Sequence, residues 1–210
     1  MNVKHVVMAL AASLIAGTIL SAQTPEEIVQ KMSTEMQKGD TEGFAMDLSI
    51  KMPIIGTVTA HNLINEKKMR STIVGMDKTT INWSDPTTKW EYDSSTEEVT
   101  ITAKESPTTE NNDTDYGIPD GIVKGYKLKL IKETPDAWYI VCKKARDNKD
   151  KDDPKKMELI VSKATYLPIC ISSKRSVISV RIENYTLGVP ESSVTFDAAE
   201  FPSAKIIDNR

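Results

Sequence analysis

The chain of 210 residues holds few side chains suited to covalent chemistry. Of its two histidines, His5 falls in the N-terminal segment expected to be removed, so any Ser-His-Asp or Cys-His arrangement would have to use His61 as its base. His61 lies within an alternating stretch, where a satisfied or exposed strand histidine is far commoner than a catalytic one. No Gly-x-Ser-x-Gly elbow and no phosphate-cradling glycine loop occurs. Two cysteines and two histidines are too few for zinc-ligand spacing, so neither a metal nor a cofactor is expected. Glycoside hydrolysis needs only two carboxylates, and 30 acidic residues leave that open by count. No pair stands out, because the acids gather in turns and hairpin tips where solvation explains them. The expectation is a protein that is not an enzyme, with a carboxylate-pair hydrolase as the outlying alternative.

The N-terminus decides which residues belong to the folded protein. Lys4 precedes an apolar run from Val6 to Leu20, and Ser21-Ala22 supplies small residues before Gln23. The run has about 15 residues, short of the ~20 that a spanning helix needs, so residues 1–22 read as a cleavable secretory signal peptide. No cysteine follows the cleavage point, so no lipid anchor is expected there. Removing 1–22 takes Lys4 and no acid from the 27 basic and 30 acidic side chains, which leaves the mature balance mildly acidic. That balance argues against nucleic acid, whose affinity comes from clustered Lys and Arg. The remaining residues, 23–210, suit one domain. Cys142 and Cys170 would meet oxidising conditions after export. Alternation sets Cys142 on the face of Trp138 and Ile140, and Cys170 opposite Ile169 and Ile171. A bridge would therefore need two strands to present unlike faces, and its presence stays open.

The elements that must position any site are mostly strands. Thr24 as N-cap, Pro25 at the first helical position and Glu27 three residues after the cap open one helix. Ile28, Val29, Met32 and Met36 give it an apolar stripe ending near Gly39. Period-two alternation follows in Phe44, Met46, Leu48, Ile50 and Met52. Further strands are expected at 57–65, 68–75, 79–84, 88–93, 98–103, 125–133, 137–145, 157–162, 167–173 and 176–186, with a short piece near 194–197. About 11–12 strands are too many for one flat sheet, so the sheet should curl or close. Residues 105–117 are polar, acidic and without period, and lead into Ile118, Ile122 and Val123. Long connections of this kind are often lids or binding loops. Methionines such as Met46, Met52, Met69 and Met157 on predicted strands suit a surface that holds flexible apolar ligands, and equally suit core packing. Trp83, Trp90 and Tyr92 could line the same interior.

The run from Lys68 to Ile101 resembles the middle of the periplasmic outer-membrane lipoprotein carriers of LolA type. Asp85-Pro86-Thr87-Thr88-Lys89-Trp90-Glu91-Tyr92-Asp93 is similar to their Asp-Gly-x-x-x-Trp-x-Tyr turn, with Pro86 replacing the usual glycine. The tail from Ser193 to Asp208 is similar to that family's last strand and its closing Val/Ile-x-Asp. A departure stands at Glu66-Lys67-Lys68-Met69-Arg70: family members carry Lys-Arg-Pro there, with an arginine tied to cargo release, whereas here no proline occurs and Arg70 is displaced.

The resemblance implies an α+β fold, a strongly curved antiparallel sheet forming an incomplete barrel, with the N-terminal helix and a short lid helix over the concave face. It implies an apolar cavity lined by Phe44, Met46, Leu48, Ile50, Met69, Ile73, Trp83, Trp90, Tyr92, Leu128 and Leu130, under a lid at Ile118, Ile122 and Val123. The implied role is a monomeric periplasmic carrier that shields acyl chains of lipoproteins or another lipidated ligand, with inner- and outer-membrane transfer proteins as partners. A lipid-sensing regulatory or scaffold domain on the same fold is the alternative. Burial of a ten-carbon length is worth roughly 8 kcal/mol at ~0.8 kcal/mol per CH₂, so such a role needs no covalent step.

Overall fold

The computed structural model describes residues 23–104, 124–151 and 153–210. Residues 1–22, expected as a signal peptide, and the lid candidates Ile118, Ile122 and Val123 lie outside the described residues.

Helix α1 runs Pro25–Gln37, followed by one further turn, α2, at Gly39–Glu42. The expected capping box closes in both directions. Glu27 N donates to Thr24 Oγ1 at 3.2 Å, and Thr24 N donates to Glu27 Oε2 at 3.0 Å, which satisfies two of the donors a helix start leaves unpaired. At the other end the Tyr185 hydroxyl donates to the Met36 carbonyl at 3.2 Å. Ile28, Val29, Met32, Ser33 and Met36 form the buried face.

Twelve strands follow: β1 Phe44–Met52, β2 Gly56–Asn65, β3 Lys68–Gly75, β4 Lys78–Ser84, β5 Thr88–Asp93, β6 Glu98–Ala103, β7 Tyr126–Glu133, β8 Ala137–Lys144, β9 Lys156–Ser162, β10 Pro168–Arg175, β11 Ile178–Leu187 and β12 Lys205–Asp208. They form one sheet in the order β12-β6-β5-β4-β3-β2-β1-β11-β10-β9-β8-β7, with β7 and β12 as unjoined edges. All pairings are antiparallel except the short parallel contact of β12 with β6. A helix on a large, curved, unclosed sheet is the architecture expected from the sequence. The tail differs in detail. The expected strand near 194–197 is absent; a 3-10 turn at Glu191–Val194 and another at Ala198–Glu200 lead instead to β12.

Register carries one face of the sheet from edge to edge. Phe44 pairs with Ile64, Ile64 with Met69 and Met69 with Ser84. In the other direction Leu48 pairs with Ile182, Ile182 with Ile171, Ile171 with Leu159, Leu159 with Ile140 and Ile140 with Leu130. This is the inner face, the one on which α1 lies. The main core sits between α1 and the inner face of β1 and β7–β11, and includes Met32, Trp138, Ile140, Leu159, Val161 and Tyr185. Trp138 and Tyr166 pack at a tilt beside the helix start, and the Tyr166 hydroxyl donates to Gln23 Oε1 at 3.1 Å.

Gly43 joins α2 to β1 with a φ of +72°; a Cβ there would lie 2.6 Å from the Val189 carbonyl oxygen and 2.8 Å from that of Ile64. Backbone conformation and lack of space both call for glycine at this corner. Cys142 and Cys170 are both free and buried. Cys142 pairs with Leu128 and Met157 on the inner face, whereas Cys170 neighbours Ile171 and points to the outer one. The unlike faces that alternation indicated therefore keep the thiols apart.

Candidate functional site

The residues expected to line one cavity are divided between two faces and two environments. Phe44 and Met46 are buried in the helix-covered core, and Leu128 and Leu130 pack against it from β7. Leu48 and Ile50 continue the inner face of β1 as half-buried side chains. Met69 and Ile73 stand on the inner face of β3, beyond the helix, where they border an open groove.

Trp83, Trp90 and Tyr92 turn their rings to the other face. Trp83 pairs with Arg70 and Trp90, and these positions alternate with the inner-face residues Met69, Ser71, Asn82 and Ser84. Their rings therefore point to the outer face, under the C-terminal segment. Phe196 sits edge-on to Trp83 at 5.3 Å and stacks on Trp90 at 5.7 Å, while Phe201 lies 5.5 Å from Trp83 and 4.6 Å from Tyr92. Trp83 is 1% exposed. Trp83 and Trp90 still border the groove that Met69 and Ile73 line, while their rings, like that of Tyr92, pack against Phe196 and Phe201 on the outer side. Sequence alternation says that a strand has two faces; pairing and the returning tail decide what each face meets.

Arg70 belongs to the same outer assembly. Its guanidinium lies 5.2 Å from the Trp83 ring centre and pairs with Glu200 at 3.0 Å. Lys68 pairs with Glu191, and Asn65 Nδ2 donates to the Val189 carbonyl at 2.7 Å. These contacts clamp the tail across β2 and β3, so Arg70 has a holding role in this fold.

The groove lies over the inner face of β3–β6 and encloses about 460 Å³. Met69 and Ile73 give it an aliphatic side. Ser71, Asn82, Ser84, Lys89, Glu91, Thr100 and Thr102 give it a polar floor. The register explains the composition: Ser71 pairs with Asn82, Asn82 with Glu91 and Glu91 with Thr100, so one polar row crosses four strands. Ser71 Oγ donates to Asn62 Oδ1 at 2.8 Å, which ties the row to β2. Sequence reading missed these polar residues. Their signal was the alternation that also placed the aromatics, since the residues that alternate with Trp83, Trp90 and Tyr92 along β4 and β5 must occupy the other face.

The arrangement offers binding surface more readily than reactive groups. Glu91 is the one carboxylate among the described groove residues. His61 Nδ1 donates to Asp47 Oδ1 at 2.6 Å, but the pair lies on the outer face, away from the groove. Partial burial raises the Asp47 pKa, and hydrogen bonds from Asn184 and His61 outweigh it, so this carboxyl is held below its ordinary range. Among the described residues no group of three or more His, Cys, Asp or Glu side chains could hold a metal ion. Among them, too, no helix is long and apolar enough to cross a membrane.

No protein-family model matches the chain, and no curated protein matches it in sequence. Solved structures do. An uncharacterized conserved protein from Thermus thermophilus superposes with a TM-score of 0.42 at 12% identity, over 89% of this chain and 100% of that one. The Pseudomonas aeruginosa MucA/MucB complex gives 0.44 at 13% identity, over 81% of this chain and 61% of that one. A LolA superfamily protein from Nitrosomonas europaea gives 0.29 at 11% identity, over 84% and 99%. All three likenesses are weak, at 11–13% identity and TM-scores of 0.29–0.44.

Proposed function

We propose that the groove over β3–β6 receives the acyl end of an amphiphilic ligand, and that the protein is an exported, unanchored carrier that shields such chains between membranes. In this reading residues 1–22 are a cleaved signal and residues 23–210 one ligand-binding domain. The observation that carries it is the open inner face beyond α1, where an aliphatic wall and a polar floor share about 460 Å³. That volume is in the range of ~300–1,000 Å³ typical of small-molecule sites. Met69 and Ile73 would shield methylenes, while Asn82, Lys89 and Thr102 would meet ester, amide or headgroup oxygens. A lipidated protein supplies both kinds of group. The same groove would serve a sensor that binds lipid and acts through a protein partner.

The purified protein is expected to retain lipid detectable by mass spectrometry and to bind a fluorescent acyl probe. Ile73→Glu is expected to abolish probe binding with the fold intact, and unchanged uptake by the folded variant would refute the assignment. Transfer of lipidated cargo between two vesicle populations separates the roles: a carrier moves it, a sensor binds it without moving it.

A further inference from the structure

Three hairpin tips lie side by side at one end of the sheet. β1 turns into β2 through Pro53, Ile54 and Ile55, β3 into β4 through Met76 and Asp77, and β10 into β11 through Ser176 and Val177. The strand order β4-β3-β2-β1-β11-β10 makes these hairpins immediate neighbours. At ~4.8 Å between strands, the tips are spaced about 10 Å apart and the row is about 20 Å long.

Each tip presents a large aliphatic side chain to solvent. Ile54 is 98% exposed, Met76 68% and Val177 61%. A lone exposed aliphatic residue is ordinary; an aligned row is a recognisable interaction surface. Met76 adds a second indication, because its φ of +51° is a conformation that glycine or asparagine adopts more easily in a two-residue hairpin. The turn thus keeps a large apolar side chain where the backbone favours another residue.

The charge around the row is distinctive too. Lys51, Lys78 and Lys174 flank the tips against Asp77, in a chain whose formal net charge is −3, and Arg175 beside them donates to the Lys151 carbonyl at 3.4 Å. Lys78 is also paired with Asp93 at 2.8 Å. Local positive charge on a negative protein complements an anionic surface.

We propose that this end of the sheet is a membrane-contact edge, with Ile54, Met76 and Val177 dipping into the headgroup region of an anionic bilayer and the flanking basic residues meeting its phosphates. Separate protruding tips offer a rigid partner little continuous area, whereas a fluid bilayer closes around each one. Apolar insertion and attraction to anionic lipid act together in reversible surface binding. This edge lies at the strand ends and stands independently of what the groove holds.

Cosedimentation with vesicles tests it, with parent and variants carrying the same N-terminus. The parent is expected to bind vesicles of phosphatidylglycerol and phosphatidylethanolamine more tightly than phosphatidylcholine vesicles, and less tightly as salt rises. The triple variant Ile54→Ser, Met76→Asn, Val177→Ser is expected to bind roughly tenfold more weakly with an unchanged melting temperature. Lys51→Glu with Lys174→Glu is expected to remove the preference for anionic lipid. Equal binding by parent and triple variant, or no binding by the parent, overturns the proposal. So does a dimer seen in ultracentrifugation that the triple variant dissolves, since a second copy would then be the occupant.

Discussion

The two halves of the sheet solve the same burial problem on opposite faces. Over β1 and β7–β11 the inner face is apolar and α1 covers it; Ile140, Leu159 and Val161 are each at most 1% exposed. Over β4–β6 the inner face is polar and open, and the apolar residues have gone to the outer face, where Trp83, Trp90, Val99 and Ile101 lie beneath the C-terminal segment. The comparison teaches that one continuous sheet can hold two cores, and that the groove exists where the inner face is released from being core. A sheet needs only one well-covered face to be stable, so the other becomes available for a ligand.

The largest test of this division removes the anchor of the outer core. Trp83→Ala is expected to cost about 3–5 kcal/mol in denaturant unfolding, as for other fully buried aromatic side chains. Protease cleavage near Phe196 and Phe201 should accelerate with it. A loss under about 1 kcal/mol would mean that the tail is not held by this ring and that the division is wrongly drawn.

A pH scan sharpens the contrast from the other half. Burial pushes the Cys142 thiol from 9.0 up to about 12. Burial, then the charges of Asp153, Cys142 and Asp150, push Tyr126 from 10.0 up to about 12. Burial and then Asp40 raise Tyr185 as well. All three belong to the helix-covered core. Each holds its proton in the folded state at a pH where the unfolded chain has released it, so the unfolded state binds fewer protons. Stability is therefore complete below about pH 9 and falls as pH rises from there toward 12. Melting temperatures followed upward from pH 8 are expected to drop more gently in Cys142→Ala than in the parent, and identical slopes would remove Cys142 from the account.

The smallest expected effect concerns the clamp. Arg70→Ala removes a partly exposed cation over Trp83 and its ion pair with Glu200, and is expected to cost about 1 kcal/mol by chemical denaturation. A Glu200→Ala variant that loses as much by itself would assign the whole effect to the ion pair.

Much of the fold was legible in the sequence. The capping box at Thr24 and Glu27 closed as expected, and the boundaries at 68–75, 88–93 and 98–103 match β3, β5 and β6. Local chemistry and short-range alternation are sufficient for these, since a cap or a pleat is made by residues close in the chain. The site was less legible. Met69, Ile73, Trp83 and Trp90 do border the groove, but the aromatic rings pack on the outer face, Tyr92 lies outside the lining, and the polar row from Ser71 to Thr100 went unread. β12 was hidden for a related reason: four residues pairing in parallel with β6 draw their stability from a strand about a hundred positions earlier.

By itself, the sequence determined that the protein is a strand meander opened by one capped amphipathic helix, with little catalytic equipment and a period-two division of every strand into two faces. Only the tertiary structure decided which face is inner and which is core. That choice depends on long-range register and on where two distant segments lie down, α1 over β7–β11 and the Phe196–Phe201 tail over β3–β6. Periodicity encodes that a strand has two unlike sides; what covers each side is a property of the whole chain.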